Sequence, residues 1–427
     1  MPVVRSFRSV RQMLQASLFL VAILSATAIA APAPLKGLVL WPDEARDRPD
    51  LSEAISLEFA YCLPCDIVKG MTPDGVLSCD WSKFDALLAG IASRGRQAVI
   101  RFRYAYPGEE LGGVRGATAV PAFIKRRPDY HETFASNPDG DGPTTYPDWS
   151  CRALEEFTLA FYRVVAERYD RDPRLAFLEV GFGHWAEYHT SGTKTRLGVN
   201  FPSLEFQKRF FATLDGLFHE TPWLISIDAA NREWSSALEA KAGFGLFDDS
   251  FMHKEHDLAQ GDGYNETCFM AFGERWRKAP CGGEISYFSK RDQREFLSPK
   301  GLYGVTWREA AAKYHITFMI ANDAPSGKFA TKDTFLSAAR VSGYRLVLVS
   351  RTPTPEGFRV VIANKGVAPV YHDMRVALGD RRSSESLRGL QPGESRTVTI
   401  LGGAAAEKVK IVSDKFLPGT SFELESE

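Results

Sequence analysis

"LAFLEVGFGHWAEYHT", residues 175–190, opens as a buried apolar run and breaks within a few positions into Gly, His, Trp, Glu, Tyr and His. A short β-rich run of this kind is the pattern of a strand covered on both faces, as in parallel sheets. Seven more such runs lie between residue 37 and about 325: "GLVLWP" from Gly37, "AISLEFAY" from Ala54, "QAVIRFRY" from Gln97, "WLISID" from Trp223, "FGLFDDSF" from Phe244, "CGGEISYF" from Cys281 and "YHITFMIAND" from Tyr314. Helical stretches separate them, among them Trp81 to Arg94 and Leu154 to Tyr169, where apolar residues recur at three- and four-residue steps. Asp80 stands as an N-cap for the first of these.

Strand and helix alternating in this way predict an α/β chain whose parallel sheet closes into a (β/α)8 TIM barrel, a fold that usually takes about 250 residues. No Gly-rich phosphate fingerprint follows any run, which removes the main reason to prefer an open doubly wound sheet, and no cofactor is expected. The Gly-, Pro- and Asp-rich segment from Pro107 to Trp149 is too long for a plain connection and is expected to fold over a barrel mouth as an active-site loop.

Beyond residue 343 the pattern changes. "YRLVLVS", "GFRVVIANKG", "MRVALGD", "ESRTVTIL" and "KVKIVSD" are short strands split by turn residues, with "LQPGES" as one turn, and they predict a small all-β, immunoglobulin-like sandwich that buttresses the barrel. At the other end, Arg5, Arg8 and Arg11, the apolar stretch Leu18 to Leu24 and the small-residue segment "SATAIAAPAP" read as a secretory signal. The expected organisation is a signal over 1–30, a barrel over 31–342 and a sandwich over 343–427, in a secreted or periplasmic protein. Removal of the signal leaves 49 of the 52 basic residues against 53 acidic ones, a balance that gives no support to a nucleic-acid partner or an anionic membrane surface. No stable membrane insertion is expected after that removal. Six cysteines in an exported chain, at 62, 65, 79, 151, 268 and 281, favour disulfides, with Cys268 and Cys281 the pair nearest in sequence. Cys62-x-x-Cys65 with Cys79 and Cys151 also reads as a zinc set, though the spacing is irregular.

In such a barrel, chemistry sits at the C-terminal ends of the strands. The fourth run ends in "GHWAEYH" and the seventh in "GGEISYF", so each delivers a glutamate, Glu187 and Glu284, to the same face. Two carboxyl groups about 5 Å apart are what retaining glycoside hydrolysis needs, one as acid and one as nucleophile. Trp185, Tyr188, Tyr287 and Phe288 are flat surfaces that stack on sugar rings and raise a carboxyl pKa by desolvation. The expected partner is therefore a poly- or oligosaccharide substrate.

The motifs "GFGHWAEYH" and "GGEI", with "NKGVAPVY" and "LQPGES" in the trailing region, resemble uncharacterised secreted (β/α)8 proteins that carry a Gly-x-Trp-Gly-Glu-Trp-His signature, a domain of unknown function similar to clan A glycoside hydrolases. The resemblance extends over most of residues 37 to 425. It implies an acid/base glutamate after strand four and a nucleophile after strand seven, which fall on Glu187 and Glu284. The chain departs from the signature with Ala186 where Gly is usual and Tyr188 where Trp is usual, and Ala186 also stands where clan A enzymes place Asn.

Other strand-end residues are candidates for binding sugar hydroxyls or orienting the nucleophile: Arg101, Arg103 and Tyr104 after strand three, Asp228 and Asn231 after strand five, Asp248 and Asp249 after strand six, Asn322 and Asp323 after strand eight. His184 and His189 flank Glu187, and His253 and His256 follow strand six; their spacing matches no metalloprotease helix, so no metal is assigned. Asn265-Glu266-Thr267 is a glycosylation triplet. Two rival readings share these residues. One is a barrel that binds polysaccharide without catalysis, and the other is a lyase in which Tyr188 or His189 takes a proton from a uronic acid neutralised by Arg101 or Arg103.

Overall fold

The computed structural model describes residues 32–254, 261–321 and 327–426. The expected signal, His256, Asn322 and Asp323 lie outside these residues. Each of the eight runs contains a strand: β1 (Gly37–Leu40), β2 (Leu57–Cys62), β3 (Gln97–Phe102), β4 (Leu175–Glu179), β5 (Trp223–Ser226), β6 (Gly245–Phe251), β7 (Cys281–Ile285) and β8 (Phe318–Ile320). They pair in parallel, each with its neighbour in sequence, and β8 returns to β1 to close the barrel.

The helices pack outside because their apolar residues fall on one face. In Arg152–Tyr169, Leu154, Phe157, Phe161 and Val165 are buried at three- and four-residue steps. Asp80 acts one residue earlier than expected: Trp81 is the N-cap of Ser82–Ser93 and offers no side-chain cap, while the Asp80 carboxylate accepts from the Ser82 N–H at 3.0 Å.

Alternation along the strands fixes what fills the barrel. A lower layer contains Phe59, Val99, Phe177, Leu224, Phe247 and Phe318, all buried, with Phe177 and Phe318 stacked across the interior at 4.7 Å. Gly282 gives the Phe318 ring its room, since a Cβ there would lie 2.4 Å from the ring. Gly283 has φ 136° and lies against the Asp248 backbone, where a Cβ would come within 2.0 Å of the carbonyl oxygen. The "GGE" of β7 is thus a steric requirement on both faces of the strand.

The C-terminal region forms two four-stranded sheets. Leu346–Thr354, Gly357–Asn364, Ser395–Leu401 and Glu425–Ser426 make one; Arg375–Leu378, Arg381–Arg382, Val409–Val412 and Phe422–Glu423 make the other. Phe358, Val360, Ile362, Val398, Ile400, Val376 and Ile411 join the lower barrel layer in one apolar cluster. The sheets meet the barrel where its strands begin. Gln97, the first residue of β3, donates to the Lys415 carbonyl at 2.6 Å, and Tyr371 donates to the Trp276 carbonyl ahead of β7. The Lys415 ammonium, buried beneath β4 and β5, donates to Asp170 O, Asp172 O and Thr221 Oγ1 at 2.9 to 3.1 Å. The C-terminal mouth is left for chemistry.

The expected disulfides are not formed: all six cysteines are free thiols. Cys151, Cys268 and Cys281 are buried in the apolar layer around the barrel, and Cys62 and Cys79 pack against it, so they serve as small apolar side chains. Burial pushes the Cys62, Cys268 and Cys281 thiols up to about 12, which keeps them protonated. Among the described residues no helix is long and apolar enough to cross a membrane.

Replacing Lys415 by Met fills the same space but removes the ammonium that Asp170 O, Asp172 O and Thr221 Oγ1 accept from, while the Thr221 hydroxyl still donates to Asp170 O and the Leu175 N–H to Asp172 O. The variant is expected to lose about 1–3 kcal/mol of stability, read as a lower urea midpoint at unchanged slope.

Candidate active site

The loop after β4 doubles back on itself. The Gly183 N–H donates to Glu187 O and the His184 N–H to His189 O, both at 2.9 Å, while the Glu187 N–H returns to His184 O at 2.8 Å. Gly181 and Gly183 permit this, because a Cβ at either would strike the returning chain, 1.7 Å from Ala186 O and 1.9 Å from His189 O. Trp185 and Ala186 both take left-handed backbone, with φ 51° and 63°. Consecutive non-glycine residues in that region store strain of the kind that collects at functional sites. The loop is tied to the Pro107–Trp149 segment through Asp141, whose carboxylate accepts from His184 Nε2 at 2.9 Å and Trp185 Nε1 at 2.7 Å. Tyr146 completes the tie by contacting His184 Nδ1 at 3.0 Å.

The loop walls a cleft of about 550 Å³, a size within the range of small-molecule and sugar sites. Its lining includes the carboxylates of Asp139, Asp141, Glu187, Asp228, Asp248 and Asp249, and no lysine or arginine among the described residues. Trp185, Tyr264, Tyr287 and Phe288 supply aromatic surface. Tyr287 and Phe288 stack on each other at 5.0 Å yet remain 45% and 58% exposed, a flat shelf at the rim. Burial holds the Glu187 carboxyl well above the ordinary range; a hydrogen bond from His189 at 3.2 Å opposes this, and the charges of Asp249 and Asp228 add to it. Asp248 is pushed up to about 8, again chiefly by burial.

An ion cluster runs from the cleft floor into the barrel, with Arg101 and Glu179 fully buried and Asp249 reaching the cleft. Arg101 from β3 donates through Nε to Glu179 of β4 at 2.7 Å and through Nη2 to Asp249 of β6 at 2.9 Å, with Nη1 on the other Asp249 oxygen. Nη1 also reaches the Trp185 carbonyl at 3.3 Å, so the same guanidinium holds the strained loop. Burial raises Glu179 to about 7 against the pull of Arg101. Glu284 shares this upper interior layer: it lies two residues beyond the inward-facing Gly282 and is 8% exposed. Burial raises the pKa of the Tyr61 and Tyr287 hydroxyls, and the charge of Glu284 adds to this, as do those of Asp249 and, for Tyr287, Glu187. Glu284 itself is not among the residues that line the cleft.

Several expected binding residues are elsewhere. Tyr188 is fully buried against Phe182, Phe201 and Phe211, because it alternates with the cleft-facing Glu187 and points into the helix layer. Tyr104 also faces that layer and hydrogen-bonds Thr158 Oγ1 at 2.8 Å. Arg103 is buried, its guanidinium stacked 3.9 Å from the Tyr61 ring and 4.8 Å from that of Trp185. Asn231 accepts from the Glu233 N–H in a turn and does not line the cleft. Asn265 is buried and donates to Asp248 at 2.7 Å, which removes it as a glycosylation acceptor. Tyr188 is buried and no lysine or arginine among the described residues lines the cleft, so of the parts of the uronate lyase only His189 stands there. His184, Trp185, Glu187, His189, Asp228, Asp248, Asp249 and Tyr287 line the one cleft together.

Asp139, Asp141, Glu179 and Tyr264 escaped the sequence reading, the last a cleft-lining phenol that donates to Asp228. Asp139 and Asp141 lie in the turn-rich "NPDGDGP" of the long loop, whose direction only the fold fixes. Glu179 did leave a signal, as the one charge inside an apolar strand.

Replacing Arg101 by Met strands the buried Glu179 carboxylate, takes the partner from Asp249 and frees the Trp185 carbonyl. The expected loss is about 3–5 kcal/mol, measured by equilibrium denaturation.

No protein-family model matches the chain, and no curated protein sequence does. Solved structures give slight likenesses. The catalytic domain of β-amylase from Paenibacillus polymyxa aligns over 72% of this chain and 100% of its own at 9% identity, with a TM-score of 0.45. Endo-glycoceramidase II from Rhodococcus sp. aligns over 90% of this chain and 97% of its own at 9% identity, with a TM-score of 0.44. The α-galactosidase TtGalA from Thermus thermophilus aligns over 72% of this chain and 65% of its own at 11% identity, with a TM-score of 0.38. Likenesses this slight carry no activity across, and the barrel rests on its own strand pairing.

Proposed function

We propose that the chain is a glycoside hydrolase acting on a poly- or oligosaccharide, with Glu187 as acid/base and Glu284 as nucleophile in a retaining reaction. The observation that carries this reading is Glu187 itself: a carboxyl kept above its ordinary range by burial, at the wall of a cleft with a flat aromatic shelf. Aromatic faces suit the apolar faces of pyranose rings, and the surrounding carboxylates accept from sugar hydroxyls.

In the first step Glu187 gives its proton to the glycosidic oxygen as the bond from that oxygen to the anomeric carbon breaks, and a Glu284 oxygen bonds to the carbon. In the second, Glu187, now ionised, takes a proton from water; the water oxygen bonds to the anomeric carbon and Glu284 departs. The ion cluster around Arg101 keeps the loop carrying Glu187 in register with the strand ends.

Glu187→Gln and Glu284→Gln are each expected to lower kcat by at least about 100-fold at unchanged far-ultraviolet circular dichroism. Proton NMR of the first-formed product anomer distinguishes retention from inversion. Full activity in both variants would defeat the proposal, and glycan binding by calorimetry without release of reducing ends would favour a non-catalytic barrel.

The pH profile carries a further expectation. Glu187 must be protonated to act as acid, so kcat/KM falls as pH rises through its raised pKa, and the alkaline limb lies above the usual carboxylate range. Asp228→Asn removes one of the negative charges that raise it, and is expected to move that limb to lower pH.

A further inference from the structure

We propose that Glu187, His189 and Asp228 form a binding site for a divalent transition-metal ion, with Zn2+ as the probe, and that an ion bound there excludes the acid role of Glu187. Each residue offers one ligand atom, and the three atoms lie within 4.8 Å of one another. His189 Nε2 is 3.2 Å from Glu187 Oε2 and 3.7 Å from Asp228 Oδ2. A tetrahedral zinc ion with bonds of about 2.0–2.2 Å needs donors roughly 3.4 Å apart, so the trio needs only small side-chain adjustments to enclose one.

The donors come from two strand ends whose backbones are held independently. Glu187 and His189 belong to the doubled-back loop after β4, and Asp228 to the turn Ile227–Ala230 after β5. Their outer neighbours orient them: the Tyr264 hydroxyl donates to Asp228 Oδ1 at 2.7 Å, and Ser191 Oγ lies 3.4 Å from His189 Nδ1. One imidazole nitrogen with two carboxylate oxygens suits a borderline ion, whereas Mg2+ favours an all-oxygen octahedron. All three residues line the cleft, so the ion's remaining positions open to water.

The two states compete for one group. A metal ion held by Glu187, His189 and Asp228 occupies the Glu187 carboxylate oxygen that would otherwise face the glycosidic oxygen in the cleft. The exclusion rests on the proposed hydrolase function; the metal site stands without it.

Titration calorimetry of chelator-treated protein with ZnCl2 and with MgCl2 at neutral pH tests the site. Saturable Zn2+ binding near one ion per chain is expected, much weaker for Mg2+, and weakened more than about tenfold in His189→Ala and Asp228→Asn, with circular dichroism showing both variants folded. No Zn2+ binding, equal Mg2+ affinity, or binding undiminished in both variants overturns the site. That last outcome would direct attention to the free thiols. On a hydrolysed glycan, Zn2+ is expected to inhibit reversibly, with activity restored by EDTA; full activity at saturating Zn2+ overturns the exclusion. If no glycan is cleaved, the hydrolase reading fails while calorimetry still decides the site.

Discussion

The structure turns on one guanidinium that water cannot reach. Arg101 is fully buried between Glu179 and Asp249. Arg101 is the shared member of the set, because its loss leaves Glu179 buried without its cation and Asp249 without its pair. Since Arg101 also takes the Trp185 carbonyl, the interaction that joins β3, β4 and β6 sets the height at which the Glu187 loop leaves the barrel. Integrity of the barrel and placement of the candidate acid are one physical problem.

Steric exclusion does the finer work. Four glycines, at 181, 183, 282 and 283, stand where a single methyl would collide with backbone or with the Phe318 ring. The first pair lets the loop fold back so that Glu187 meets the cleft while Tyr188 anchors the loop from the helix layer. The second pair lets β7 lie close to β6 and leaves space below Glu284. The glycine-rich character of both motifs follows from packing, and the carboxylates exploit the openings that packing makes.

The barrel was legible in the sequence because its signal is local: every strand of the ring falls inside a short apolar run, and the helices show their three- and four-residue steps. The end of β3 was legible in principle too. Arg101 and Arg103 share a face by the two-residue alternation of a strand, which turns Tyr104 outward to the helices. The same alternation turns Tyr188 away from the cleft that Glu187 faces. Asp139 and Asp141 could not be located, because a long loop carries no period from which to infer its path. The cysteines were misjudged on different grounds: an export signal speaks of the compartment, whereas pairing depends on geometry, and these thiols sit among apolar side chains.

The apolar cluster that runs from Phe177 and Phe318 into the C-terminal sheets gives the barrel a permanent stopper. Residue 343 marks a change of pattern along the chain, yet in space no seam lies there, since the same hydrophobic contacts serve both sides. Cutting at that point would wet the barrel's aromatic lower layer and take the Lys415 ammonium from the three acceptors it joins. Evolution can therefore vary the loops at the open mouth with some freedom, while substitutions at the closed end must be matched across the two parts.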